Sequence, residues 1–175
     1  MKKLSMAELG RKSAEDFQKS EKFALVLVLD NIRSMMNIGS VFRTADAFLL
    51  EEILLCGITA TPPHREIQKT ALGATESMHW RYYEQTTSAI KHLKEKGYMV
   101  LAVEQARESQ NLKEFLPLKN QPYALVFGNE VKGVSQEVLD LCDACLEIPQ
   151  FGTKHSLNVA VTAGIVIWDF FVKTR

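Results

Sequence analysis

The chain has 175 residues, 46% hydrophobic and 24% charged, with 21 Lys and Arg balanced by 21 Asp and Glu. These are ordinary globular proportions, which exclude a disordered or fibrous chain and describe one domain that can bury a core without disulfides or structural metals. The balanced charge excludes a protein that coats nucleic acid by bulk electrostatics, and three cysteines, an odd and small set, fit a reducing, cytoplasmic compartment.

Residues 1–22 mix charges and lack the apolar core of a signal peptide. The longest apolar runs, 24–29 and 164–168, fall far short of the ~20 residues that span a bilayer, so no membrane partner is expected. Residues 5–19 read as a polar amphipathic helix anchored by Leu9 and Phe17, and 1–22 form a helical extension ahead of the main domain, 23–175. Residues 23–29 (F-A-L-V-L-V-L) are a continuous apolar run, as in a strand covered on both faces. Residues 41–50 are helical in character, 52–56 a second strand ending at Gly57, and 80–83 a third. A helix over 88–96 closes at Gly97. Buried strands follow at 98–103 and 123–127, then a short helix at 136–141, a last strand at 145–148 and a final helix over 157–172.

Strands alternating with helices predict an α/β fold with a mostly parallel sheet flanked by helices. Such sheets bind ligands beyond the carboxyl ends of their strands, and three unusual loops, 30–39, 128–133 and 149–156, each follow a strand directly. The final helix has almost no polar face: Val159, Val161, Ala163, Ile165, Val166, Ile167, Trp168, Phe170 and Phe171 surround it. A helix apolar all round needs cover on every side, which predicts a homodimer.

In the first loop, Asn37 and Gly39 fall at the predicted helix start, where Asn caps and Gly lets backbone approach a ligand. Arg43 follows six residues after Asn37. Periodicity alone favours a plain cap and a solvated cation. The second loop, F-G-N-E-V-K-G-V-S (127–135), ends a strand at Gly128 and offers Asn129 and Glu130 before Ser135, a natural cap for the next helix. It could close over a nucleotide or be only a turn. It is no P-loop, and no G-x-G-x-x-G occurs. The third, I-P-Q-F-G-T-K-H-S-L-N-V (148–159), crowds His155, Ser156 and Asn158 at the entrance of the final helix. Capping needs one of them, assigned to Ser156, which leaves Asn158 without a propensity reason to be there. His155 reads as a loop-stabilising residue and His64 as a surface loop residue. Cys142-x-x-Cys145 lacks the second ligand pair of a zinc site, so no metal is expected.

Together the motifs N-x-G-S-V-F-R-T-A (37–45), F-G-N-E-x-x-G-V-S (127–135) and I-P-x-F-G-T-K-H-S-L-N-V (148–159) closely resemble the SpoU branch of the SPOUT RNA methyltransferases, also called the TrmH family. The resemblance runs from about Phe23 to the C-terminus. It departs at Phe48-Leu49-Leu50, where many relatives have Gly after the helix. The resemblance implies a SPOUT (α/β knot) fold with a C-terminal trefoil knot, and S-adenosyl-L-methionine as methyl donor. Carried over by position, the cofactor contacts are Gly128, Asn129, Ile148 and Leu157, with Glu104 and Gln105 as a further wall. It implies a homodimer with the site at the interface, and methyl transfer to a ribose 2′-hydroxyl of RNA. Arg43 of the partner would orient the substrate phosphate and stabilise the developing oxyanion. Asn37 would fix the loop that aims it, with Glu130, Ser156 and Asn158 ordering the site. RNA contacts are expected from local cations, Arg11, Lys12, Arg33 and Arg65. The RNA is a tRNA, with a D-loop guanosine as candidate, or an rRNA; the lack of a sizeable accessory domain favours tRNA. A catalytically inactive RNA-binding assembly factor on the same fold is the alternative, and a nicotinamide oxidoreductase is disfavoured by the absent glycine fingerprint.

Overall fold

Of the two longest apolar runs, 24–29 lies in a strand and 164–168 in the final helix. The computed structural model describes residues 1–5, 8–10 and 12–174. In it β1 (Phe23–Asp30), β2 (Leu50–Cys56), β3 (Trp80–Tyr83), β4 (Met99–Val103), β5 (Gln110–Asn111), β6 (Tyr123–Phe127) and β7 (Ala144–Glu147) form one sheet, in the order β3-β2-β1-β6-β4-β7-β5. Every pairing is parallel. β6 inserts between β1 and β4, both of which precede it in the chain, and β7 joins the far side of β4. The carboxyl ends of β4, β6 and β7 therefore meet at the centre of one sheet edge.

The helices are α1 (Ala14–Lys19), α2 (Met35–Ala47), α3 (Arg65–Ala71), α4 (Ala74–Ser77), α5 (Thr86–Glu95), α6 (Gln136–Leu139) and α7 (Val159–Thr174). Side chains alternate across β1 as a strand's period of two requires. Leu25, Leu27 and Leu29 join Phe42 of α2 and Phe170 of α7 in one core. Val26 and Val28 join Ile90 and Leu93 of α5 and Val138 of α6 in the other. Full burial on both faces accounts for the unbroken apolar runs.

Several boundaries differ from the sequence reading. Among the described residues the N-terminal helix is α1, since Gly10 takes φ +55° and Ser13 caps the helix by accepting from Asp16 N at 3.1 Å. Phe17 is buried as expected, while Leu9 is exposed. α2 starts well before the expected 41–50 span: Ser34 Oγ accepts from Asn37 N at 3.3 Å, so Ser34 is the cap and Asn37 lies within the first turn. Leu49, in the segment that departs from the family pattern, takes φ +55°, a conformation glycine adopts without steric cost. α3, α4 and β5 have no counterpart in the sequence reading.

α7 corrects a second assignment. Asn158 Oδ1 accepts from Ala160 N at 2.9 Å and Val161 N at 3.4 Å, so Asn158, and not Ser156, caps this helix. Ala163, Val166, Ile167 and Phe170 are buried in the core, whereas Val161, Ile165, Trp168 and Val172 are exposed along the other side. Among the described residues, no helix is long and apolar enough to cross a membrane, and no group of three or more His, Cys, Asp or Glu could hold a metal ion. The three cysteines are free thiols, and burial pushes Cys56 and Cys142 up to about 12.

Candidate active site

Beyond the ends of β4, β6 and β7 opens a cleft of about 680 Å³. Its apolar wall is Val103, Phe127, Leu146, Ile148 and Leu157, and its rim carries His155 and Ser156. Gly128, the first residue after β6, is required here: a Cβ would stand 2.2 Å from the Gly133 carbonyl carbon and Val134 N. The 128–133 loop folds back through Asn129 N donating to the Gly133 carbonyl at 3.1 Å and Gly133 N to the Asn129 carbonyl at 2.8 Å. Asn129 lines the cleft, yet its side chain is spent on the loop. Oδ1 accepts from Val131 N and Lys132 N, and Nδ2 donates to the Asn31 carbonyl at 2.7 Å.

A chain of side-chain bonds ties the cleft to α2. The Glu130 carboxylate accepts from Arg33 N and Ser34 N, each at 3.0 Å, and from Asn37 Nδ2 at 3.3 Å. It thereby takes up orphan donors at the positive end of α2. Partial burial pushes its pKa up, but these bonds outweigh that and hold it below the usual carboxylate range. Asn37 Oδ1 in turn accepts from Asn158 Nδ2 at 3.1 Å. Three residues far apart in sequence thus join the second loop, the start of α2 and the cap of α7.

Residues 24–168 match the SpoU rRNA Methylase family. The chain belongs to that family. Among its relatives is the tRNA (guanosine(18)-2′-O)-methyltransferase of Thermus thermophilus, 29% identical over 162 residues, which cover 93% of this chain and 81% of that protein. The structure of the Aquifex aeolicus TrmH/SpoU tRNA modifying enzyme superposes with a TM-score of 0.79 at 25% identity, over 91% of this chain and 79% of that one. An AdoMet-bound rRNA methyltransferase from Sinorhizobium meliloti gives 0.79 at 28% identity, over 88% and 59%. The chain spans 60% of the length of the TrmH-family relative from Staphylococcus saprophyticus.

Within this SpoU-family chain the motif residues divide into two places. Gly128, Asn129, Glu130, Ile148, Ser156, Leu157 and Asn158 line the cleft, as do Glu104 and Gln105, whose Nε2 donates to the His155 carbonyl at 3.0 Å. Asn37 joins them through its bonds. Arg43 does not: it is exposed on α2 and lines a separate, shallow groove of about 520 Å³ with Ser40, Thr44, Ala47, Phe48, Lys69 and Thr70. Of the expected RNA contacts, Arg33 is exposed beside the α2 N-terminus and Arg65 opens α3. Lys12 donates to Ser20 Oγ at 2.6 Å, and Arg11 lies outside the described residues. His64 proves to be the cap of α3, accepting from Glu66 N at 3.2 Å.

Sequence reasoning did not find the supports beneath the first loop. Asn31 takes φ +56° and accepts from Ile58 N at 3.1 Å. Thr59 Oγ1 accepts from Ile32 N and donates to the Leu29 carbonyl, both at 2.9 Å. The Asp30-Asn31 pair after an apolar strand was the available signal, since both residue types favour turns and left-handed backbone.

Proposed function

We propose that this chain transfers a methyl group from S-adenosyl-L-methionine to the 2′-hydroxyl of a ribose in RNA. The observation that carries the reading is the bonded series Glu130–Asn37–Asn158. It fastens the cleft loops to the helix bearing Arg43, in a chain that carries all three SpoU-family motifs. The cleft suits the cofactor. Its volume accommodates a nucleoside with an amino-acid tail, one side of it is apolar, and Gly128 at the end of β6 lines it. From Ile148 to Leu157 the His155 carbonyl is the only group with a hydrogen-bond partner among the described residues. The peptide groups of that loop are therefore available to Ile148- and Leu157-side contacts, with Asn129 and Glu104 completing the wall.

When bound, the cofactor supplies an electrophilic methyl group on a sulfonium. The chain's own task is to align and activate the ribose oxygen. Arg43 is assigned to bind the adjacent phosphate, where its planar fork suits two oxygens, and to stabilise negative charge growing on the 2′-oxygen. A guanidinium is a poor proton acceptor, so Arg43 is not assigned as the base. Glu130 is committed to three donors and orders the loop, Asn37 and Asn158 hold α2 to the cleft, and Ser156 is assigned to the ribose at the rim.

Because Arg43 stands outside the cleft of its own subunit, we assign it to the cleft of a partner in a homodimer. The exposed row Val161, Ile165, Trp168 and Val172 is spaced at four, three and four residues, the pattern of a helix-packing seam. The insertion of β6 between earlier strands supports reading the C-terminal segment as the family's trefoil knot. The proposed substrate is a tRNA in the cytoplasm, with a D-loop guanosine as first candidate. Residues 1–22, with Lys12, and the cations Arg33 and Arg65 are assigned to its backbone.

Labelled S-adenosylmethionine, offered with total tRNA or rRNA, tests the reading. Label in one RNA class at a single alkali-resistant internucleotide bond, lost in Arg43→Ala, is expected. A folded protein that binds the cofactor and labels neither RNA would refute transfer and favour the RNA-binding assembly factor.

A further inference from the structure

Glu104 is the first residue after β4, with its N–H bonded to the Leu146 carbonyl at 3.0 Å. Its carboxylate lines the cofactor cleft and is held by two amides: Gln105 N donates to Oε1 at 2.8 Å and Val134 N to Oε2 at 3.0 Å. The second loop is shaped around it. A Cβ on Gly133, which takes φ +66°, would stand 2.2 Å from Glu104 Oε2. Among the described residues no Lys, Arg or His nitrogen pairs with this carboxylate. A carboxylate oxygen accepts about two bonds, so each oxygen, fixed by one amide, keeps one acceptor site.

Building on the cofactor reading above, we propose that Glu104 selects the ligand by accepting both hydroxyls of the adenosine ribose. A carboxylate held in place by two amides, with no cation beside it, keeps an acceptor site on each oxygen for a ligand's donors. A vicinal diol offers two O–H groups side by side, matched to two oxygens held in place. Acidic residues beyond strand ends bind the ribose of nucleotides in doubly wound sheets in the same manner. The other two acids of the cleft fit the role less well. Glu130 is occupied by three donors, and no bond fixes the carboxylate of Glu147 among the described residues.

The test is calorimetric titration of the full chain with S-adenosylmethionine, with S-adenosylhomocysteine and with the 2′-deoxy analogue of the latter, in wild type, Glu104→Gln and Glu104→Leu. Wild type is expected to favour the ribose ligand by about 10-fold or more, the range of a hydrogen bond to a charged group. The ratio should collapse to about 2-fold in Glu104→Leu and shrink in Glu104→Gln, which keeps size and one acceptor oxygen. An unchanged ratio in both variants would overturn the proposal. So would a loss of S-adenosylmethionine affinity with S-adenosylhomocysteine unaffected, which would place the carboxylate on the sulfonium. Equal weakening of both ligands would reduce Glu104 to a clamp on the 133–134 loop. A folded wild type that binds no ligand refutes the cofactor reading itself.

Discussion

Replacing Asn158 by serine and by alanine separates its two bonds. Serine keeps the cap on α7, since Ser and Asn cap about equally well, but it has no donor that reaches Asn37; alanine loses both. Loss of an N-cap costs about 1 kcal/mol, and the exposed 3.1 Å bond to Asn37 Oδ1 contributes about 0.5–1 kcal/mol. Asn158→Ala should therefore lose about 1.5–2 kcal/mol and Asn158→Ser about 0.5–1 kcal/mol. In a chain of this size each kcal/mol lowers Tm by about 2–4 °C. Alanine should then lower it by about 3–8 °C and serine by about 1–4 °C, measured at one protein concentration because self-association shifts Tm. Methyl transfer to RNA should fall by a similar factor in both variants, because both cut the tie between α2 and the cleft. A serine variant with the wild-type rate would refute the role of that tie in placing Arg43, and an alanine variant as stable as serine would refute the cap.

The remaining tests address other contacts. Glu130 has a folded-state pKa below its unfolded value of about 4.3, so its stabilisation is complete above that pH and is lost as pH falls through the folded value. Urea midpoints should show this acid dependence in wild type and less of it in Glu130→Gln; identical profiles would count against the capping carboxylate. Gly39→Ala places a Cβ 2.2 Å from the Ile67 carbonyl oxygen and Thr70 Oγ1, and overpacking of this kind costs about 1–3 kcal/mol. Its urea midpoint should fall, and an unshifted one would contradict the close packing of α2 on α3. Trp168→Glu, in the exposed row of α7, should sediment as a monomer that binds cofactor and transfers no methyl; a dimer would move the interface elsewhere.

The central strands are legible in the sequence for a physical reason. β1, β4 and β6 are covered on both faces, so their apolar runs are continuous and need no periodicity to be seen. α3 is hidden because only Ile67 and Ala71 of its seven residues are buried, and β5 because two residues carry no pattern. The cap of α7 is ambiguous locally: His155, Ser156 and Asn158 all offer an acceptor, and only the 2.9 Å approach to Ala160 N decides. The motif residues of the candidate site can be named from their strings. Their separation into a cleft and a distant arginine cannot, because it depends on where α2 leads after Ser34.

That direction bears on how many chains make one site. Asn37, at the start of α2, is fastened to the cleft through Glu130 and Asn158. Arg43 lies six residues further on, about 9 Å along the helix axis at 1.5 Å per residue, and lines its own groove. The bonds that fix α2 therefore fix Arg43 away from the cleft of the same subunit, as its proposed assignment to a partner's cleft requires. A heterodimer purified through two tags tests this, pairing Arg43→Ala with Leu157→Glu, which puts a carboxylate on the cleft wall. Each homodimer should be inactive. With Arg43 acting across the interface, the intact cleft of one subunit meets the intact Arg43 of the other. One of two symmetric sites is restored, and the heterodimer should show about half the wild-type rate. If Arg43 serves its own cleft, each subunit carries one defect in its own site and the heterodimer stays inactive.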